Sequence, residues 1–269
     1  MTQNKSLILL RGGGDLASGV ALRLHRAGLN VVVSELAQPL AVRRTVSFAE
    51  AVYEGRHTVE DVTARLVQPE QIETAMDTGE IPVIIDPNAD ILLSSRFFHI
   101  VIDARLTKQP PTPLPVSVPL HIGLGPGFHA GRNCHAVIET RRSHTLGRVY
   151  WEGTTQPDSG QPEGDPRRVL RAAQAGVFTA SKKIGDLCES GETVGRINGQ
   201  FPVISPLSGV LRGILRDDLP VNKGLKIGDV DPRGDVSACY LVSDKALSIG
   251  GGVLEALLSH EDIRSHLWI

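Results

Sequence analysis

Aromatic side chains are scarce: two Trp, three Tyr and six Phe make 4% of a 269-residue chain. So few rings cannot build the stacking platforms on which single-stranded nucleic acid is held. Basic charge is not in surplus either. Lys and Arg number 28 against 30 Asp and Glu, a formal net charge of -2. With no basic stripe along the sequence, nucleic acid is not an expected partner. No apolar run reaches the length of a membrane-spanning helix, so no membrane association is expected. Cysteine is limited to Cys134, Cys188 and Cys239, odd in number, far apart and without a Cys-x-x-Cys pair. That is the usage of a reducing compartment, not a disulfide framework. Met1-Thr2-Gln3-Asn4-Lys5 leads straight towards an apolar strand, so no signal peptide is expected and the cytoplasm is the expected location. What remains, 41% hydrophobic and 22% charged, is ordinary globular composition, enough for one large domain or two smaller ones.

The strongest local signal is Leu7-Ile8-Leu9-Leu10-Arg11-Gly12-Gly13-Gly14-Asp15-Leu16-Ala17. An apolar strand runs into three glycines, and a helical stripe of Leu16, Val20 and Leu24 follows until Gly28. The spacing Gly12-x-Gly14-x-x-Ala17 fits a dinucleotide-binding fingerprint. In that reading Gly12 makes the tight turn, Gly14 lets backbone approach a pyrophosphate, and Ala17 lets the helix pack closely on the sheet. The helix N-terminus then offers N–H groups and positive dipole to the anion. Val31-Val32-Val33-Ser34-Glu35 reads as a second strand ending in an acid, about twenty residues on, where a ribose-binding carboxylate is expected. The plainer alternative is that Gly12 to Gly14 simply turn a strand into a helix. Arg43 and Arg44 could meet the extra phosphate of NADP or a pyrophosphate-linked cofactor. They could equally form a solvated basic pair.

Strand and helix patterns alternate up to about residue 145. Ser47-Phe48-Ala49-Glu50 has the form of a capping box opening a helix that Gly55 ends. The stretch 57–67 is ambiguous, 69–79 reads as a short helix, 81–86 as a buried strand, 91–98 as a helix and 99–103 as a strand. Such runs predict an α/β fold: a Rossmann-like parallel sheet domain covered on both faces, over residues 1–145. Its strands end in Glu35, Asp86 and Asp103, which would gather at the sheet's carboxyl edge beside the glycine loop. Helix capping or turn formation is the competing role for Asp86 and Asp103. Residues 108–119 carry Pro110, Pro111, Pro113, Pro115 and Pro119 and must be extended.

After a polar stretch at 156–168 the pattern changes to short glycine-broken β segments, with Asn198-Gly199 marking a tight hairpin. Residues 146–242 are expected to form a small all-β domain resembling the barrel-sandwich hybrid of biotinyl and lipoyl carriers. The resemblance rests on Ser205-Pro206-Leu207-Ser208-Gly209-Val210-Leu211 and Leu219-Pro220-Val221-Asn222-Lys223-Gly224. Those carriers present an acceptor lysine at a hairpin tip. This chain has Asn198-Gly199 there, so neither biotin nor lipoate is expected. Residues 243–269 open on a capping Ser243 and are expected to form a C-terminal helix packing back on the first domain.

Four of nine histidines (His121, His129, His135 and His144) lie close together with Cys134 and Glu139. Their spacing fits no zinc pattern, and a metal is not expected. A second glycine loop within this stretch, Gly125 to Asn133, could form an anion-binding nest, with Arg132 and Asn133 meeting a phosphate and a head group. The expected ligand-binding residues are therefore Gly12, Gly13, Gly14, Asp15, Glu35, Arg43, Arg44, Asp103, Gly125, Gly127, Arg132 and Asn133.

Several long motifs resemble one family. They are Arg11-Gly12-Gly13-Gly14-Asp15-Leu16-Ala17, the 35–40 and 43–48 segments, Gly125-Pro126-Gly127-Phe128 with Gly131 to Thr140, Lys226-Ile227-Gly228-Asp229-Val230-Asp231-Pro232-Arg233, and Gly250-Gly251-Gly252. In these the chain is similar to the YqeB family, accessory proteins of the selenium-dependent molybdenum hydroxylase system. Its glycine loop also looks like that of xanthine dehydrogenase maturation proteins. The resemblance implies a role in maturing a molybdenum hydroxylase, with that client and its maturation machinery as partners and homo-oligomers possible. The implied ligand is NAD(P) or another nucleotide, or molybdenum cofactor. Two alternatives stay open: an NAD(P)-dependent oxidoreductase using Glu35 and a nearby histidine, and a non-catalytic client-docking protein.

Overall fold

The computed structural model describes residues 6–161 and 164–267; the Met1 to Lys5 lead-in lies outside them. Strand β1 (Leu7–Arg11) passes through the glycine turn into helix α1 (Asp15–Arg26) and returns as β2 (Asn30–Glu35). Helix α2 (Ala51–Glu54) then leads into β3 (Arg56–Val59) and β4 (Val62–Leu66), helix α3 (Ile72–Asp77), β5 (Ile81–Ile85), helix α4 (Asp90–Ser95) and β6 (Ile100–Asp103). Three more strands follow without a helix between them: β7 (Leu120–Leu124), β8 (Ala136–Ile138) and β9 (Val149–Tyr150). All nine form one sheet in the order β3-β4-β5-β2-β1-β6-β7-β8-β9.

The pairs from β4 to β8 are parallel, but β3 runs antiparallel to β4 and β9 antiparallel to β8. The Rossmann-like parallel sheet expected from the sequence is therefore corrected: the sheet is mixed, and beyond β6 no crossover helix covers it. The reason at one edge is local. Val59 and Val62 pair across a two-residue turn in which Glu60 has φ of +56°, and such a turn joins only antiparallel strands. At the other end, the proline-rich segment and the second glycine loop replace helices. The capping box also fails to form. The Ser47 hydroxyl donates to the Arg43 carbonyl, and Phe48–Glu50 is a single 3-10 turn.

The central strands β1, β2, β5 and β6 each carry an apolar run because both faces of the sheet are buried there. Ile8, Leu10, Val31, Val33, Ile100 and Ile102 face one core, while Leu9, Val32 and Val101 face another beneath α3 and α4. The first core is closed from the far end of the chain. Helix α5 (Asp244–Ser259), capped by the Ser243 hydroxyl on the Ala246 N–H, lies on α1 and contributes Ala246, Ile249, Val253, Ala256 and Leu257; the short helix α6 (Glu261–Arg264) follows it.

Between these parts, β10 (Val169–Arg171), β11 (Gly176–Ala180), β12 (Leu187–Cys188), β13 (Thr193–Ile197), β14 (Phe201–Ile204), β15 (Gly209–Ile214), β16 (Leu219–Val221) and β17 (Lys226–Asp231) build two antiparallel sheets. Their orders are β10-β17-β15-β12 and β14-β13-β11-β16, so the barrel-sandwich expectation gives way to two distinct four-stranded sheets around one core. Phe178, Val194 and Ile197 from one sheet meet Leu211, Ile214 and Val230 from the other. The Asn198-Gly199 turn joins β13 to β14, both residues at positive φ. Arg44 Nε donates to the Ile214 carbonyl at 2.9 Å, and Arg216 pairs with Glu50 at 2.5 Å, tying this part to the large sheet.

The α1–α5 contact is backbone-close. A Cβ on Gly19 would stand 2.6 Å from the Ala246 Cβ, one on Gly250 2.8 Å from the Gly19 carbonyl oxygen, and one on Gly252 2.0 Å from the Gly147 carbonyl oxygen. Gly251, between them, faces open space. Gly252→Ala is expected to lower stability by at least about 2 kcal/mol through overpacking. Gly251→Ala should raise it by about 0.5–1 kcal/mol through helix propensity. Urea unfolding of both variants checks the contrast, and similar midpoints for the two would refute it.

Candidate functional site

The site grows from the glycine turn. At Gly12 the chain takes φ of +98° and its N–H donates to the Ser34 carbonyl, so β1 leaves the sheet tightly beside β2. A Cβ on Gly13 would stand 2.9 Å from the Ala49 nitrogen, which leaves no room for a side chain there. Gly14 differs from both. Its φ is -69°, open to any residue, and nothing lies within 4 Å of where its Cβ would be. Gly14 therefore faces empty space at the start of the 12-residue helix α1, whose first-turn N–H groups have no intrahelical acceptor.

That space is a cleft of about 450 Å³. Its floor is Gly12, Gly14 and the first turn of α1; one wall is Ser34, Glu35, Leu36, Pro39 and Leu40, and the other runs from Ala104 to Thr107 with Asn88. It lies where the sheet order reverses between β1 and β6, at the carboxyl ends of the strands, a place where open α/β sheets bind ligands. Apolar walls with a few convergent polar groups are what a small-molecule site requires.

Of the expected residues, the structure brings Gly12, Gly14, Asp15 and Glu35 to this cleft. Glu35 is already engaged: its two carboxylate oxygens accept the Gly13 N–H at 2.6 Å and the Leu36 N–H at 2.7 Å. Burial pushes its pKa up while those two N–H groups pull it down. Asp103 stands behind the cleft, buried, and binds two arginines. Arg11 Nη1 reaches it at 2.9 Å, and Arg105 holds it through both Nε (3.0 Å) and Nη2 (2.6 Å). Asp86 accepts the Leu92 N–H and so caps the start of α4.

Other expected residues are placed elsewhere. Arg43 is buried; it pairs with Asp15 and donates to the carbonyls of Ala238 and Leu241. Arg44 is spent on Ile214 and Glu50. The second glycine loop folds onto its own sheet and adds no residue to the cleft wall. Phe128 covers Gly123 so closely that a Cβ there would lie 2.1 Å from the ring. Gly125 donates its N–H to Ile138, and a Cβ on Gly127 would strike the Gln109 carbonyl. Asn133 closes the loop internally by accepting the His129 N–H and donating to the Gly127 carbonyl, and Arg132 is exposed.

Sequence reasoning missed Arg105, Leu106, Thr107 and Asn88. The signal was present: Ala104 to Thr107 directly follow a strand ending in Asp103, at the same carboxyl edge as Gly12. Among the described residues no three His, Cys, Asp or Glu side chains form a group able to hold a metal. Nor is any helix among them long and apolar enough to cross a membrane.

Comparison with known proteins finds no matching family model. Over 266 residues the chain is 45% identical to the uncharacterized protein YqeB of Escherichia coli (strain K12), covering 96% of this chain and 49% of that protein. The chain belongs to the YqeB family and spans about half the length of this curated relative. Solved structures overlap it loosely. An aspartoacylase family protein from Mesorhizobium loti is 12% identical over 84% of each chain, with a TM-score of 0.27. The ectoine utilization protein EutE from Ruegeria pomeroyi is 19% identical over 30% of this chain and 27% of its own, with a TM-score of 0.22. Likenesses this slight assign neither fold nor activity.

His121, on β7 beside the Asp103 pair, is buried and edge-on to Phe128, and burial pushes its pKa down to about 4. Its folded pKa lies below the usual value near 6.5, so its contribution to stability is complete above that pH. The contribution is lost as pH falls from 6.5 towards 4, by up to about 3 kcal/mol. His121→Leu is expected to lose less stability over this window, since Nε2 has no partner to forfeit. Urea midpoints at pH 7, 5.5 and 4.5 provide the check, and parallel acid losses in both proteins would sink the assignment.

Proposed function

We propose that this protein is an accessory factor in the maturation of a selenium-dependent molybdenum hydroxylase. In this reading it binds a phosphate-bearing ligand, a nucleotide or molybdenum cofactor, in the Gly12–Gly14 cleft. The observation that carries the binding half is Gly14: a residue with ordinary φ, at the head of a helix, facing an empty cleft. The maturation half is supported by membership of the YqeB family together with the motif resemblance to accessory proteins of that hydroxylase system.

The chemistry of the walls narrows the ligand. Leu36, Pro39, Leu40 and Leu106 offer an apolar slot for a flat ring, and Glu35 retains lone pairs for a hydroxyl. Arg43 and Arg44 are committed to protein partners, so among dinucleotides NAD fits better than NADP. The oxidoreductase alternative gains nothing from this geometry, because no histidine is among the residues lining the cleft. The client hydroxylase and its maturation machinery are the proposed partners, in the cytoplasm, where three free buried thiols are at home.

Gly14→Val is expected to fold normally and to weaken binding of ADP and NAD at least tenfold, because the branched side chain would occupy the ligand's approach. Calorimetry with both probes measures this, with unfolding curves as the control. In the host, loss of the gene should leave molybdenum hydroxylase underactive, and the Gly14→Val form should not restore it. Full hydroxylase activity without the gene would defeat the maturation role, and unchanged affinity in the folded variant would defeat the cleft.

A further inference from the structure

Arg105 was not part of the sequence-derived site, yet its setting in the cleft wall is specific. Asp103 clamps one side of its guanidinium through Nε and Nη2, while the Arg105 N–H also donates to Asp103 at 3.3 Å. The backbone of Ala104 and Arg105 lies against Gly12, within 3.4 Å of where a Cβ would stand, so the arginine is fixed beside the glycine turn. Nη1 makes no bond among the described residues, and the side chain is about a quarter exposed at the cleft. Behind it, Arg11 Nη1 shares Asp103 Oδ2 with Arg105 Nη2, and Arg11 donates to the carbonyl of Asn88, itself a cleft-wall residue, from a nearly fully buried position.

Charge here is closely matched. Arg11 and Arg105 pair with Asp103 and Arg43 with Asp15, while Glu35, held by backbone N–H groups, and Asp86, just after β5, bring the carboxylates to four. A ligand with a large negative charge would meet these carboxylates uncompensated. A ligand with one compact anionic group could use Arg105: Arg11 and Arg43 also leave Nε unbonded, but both are buried, whereas Arg105 is partly open to the cleft.

We propose that Arg105, positioned by Asp103, recognises the anionic group of the cleft's ligand, and that this ligand carries a mono- or diphosphate rather than a triphosphate. The inference rests on the binding reading above and names its recognition residue. Asp103 acts as a positioning residue: it orients the guanidinium and does not itself reach the ligand. A planar, preorganised arginine suits a phosphate in a way that a lysine does not.

The test uses the full chain and three probes: adenosine, ADP and ATP. Wild type should bind ADP more tightly than ATP. Arg105→Ala should weaken ADP about ten- to a hundred-fold, as loss of one charge-assisted contact implies, and leave adenosine unchanged. Arg105→Lys should recover only part of the loss. Asp103 keeps Arg11 in the alanine variant, so the fold should survive, and its unfolding curve confirms this. Equal ADP affinity in wild type and Arg105→Ala, equal losses for ADP and adenosine, or tighter wild-type binding of ATP would overturn the inference. If Gly14→Val abolishes ADP binding while Arg105→Ala does not, only this inference falls. If wild type takes up none of ADP, NAD or inorganic pyrophosphate at millimolar concentration, the binding reading fails and takes the inference with it.

Discussion

Helix α1 lies against helix α5 at a separation that only glycine permits, and the rest of the architecture depends on that contact. Gly19 on one helix and Gly250 on the other bring backbone to backbone, while Gly252 brings α5 onto the Gly147 turn. The contact does what a crossover helix would do elsewhere. No helix follows β6, β7 or β8, so one face of the sheet would stay wet without a helix brought from residues 244–259. Fixing α1 also fixes its N-terminus, and hence the floor of the cleft.

The arginines show how a site's electrostatics can be spent on holding the molecule together. Arg43 ties Asp15, in the first turn of α1, to the carbonyls of Ala238 and Leu241, and Arg44 reaches the β15 carbonyl of Ile214. Arg44 thus joins the cleft's surroundings to the antiparallel part of the molecule, and Arg43 joins them to the segment between β17 and α5. Only the pair on Asp103 divides its work, with Arg11 turned inward and Arg105 turned to the cleft. Buried ion pairs of this sort contribute little net stability, because desolvation offsets attraction, but removing one partner costs several kcal/mol. They define position more than they add stability.

Legibility in the sequence followed the range of the interaction. The glycine turn, the Ser243 cap and the Asn198-Gly199 hairpin are set within a few residues, and each has the form that its residue types dictate. Ser47 to Glu50 has the same kind of local signature, but Glu50 is drawn away by Arg44 and Arg216, the latter from a distant part of the chain. The mixed sheet was hidden because β3 and β4 are short and half-buried, and nothing in 57–67 favours a strand's period over a helix's. The second glycine loop was misleading for a geometric reason. It leaves β7, two strands away from β1, and Phe128 folds it back over Gly123. Arg105 follows a strand end that the sequence already placed at the carboxyl edge; the pairing of β6 with β1 is what sets it directly beside Gly12.

The late position of α5 in the chain has a consequence for biosynthesis. A polypeptide emerges from the ribosome in order, so every strand among the described residues is made before the helix that packs on α1, β8 and β9. At typical synthesis speeds of about 5–20 residues per second, the part of the sheet at β8 and β9 waits for seconds without its covering helix. That face is covered only once residues 244–259 have been made.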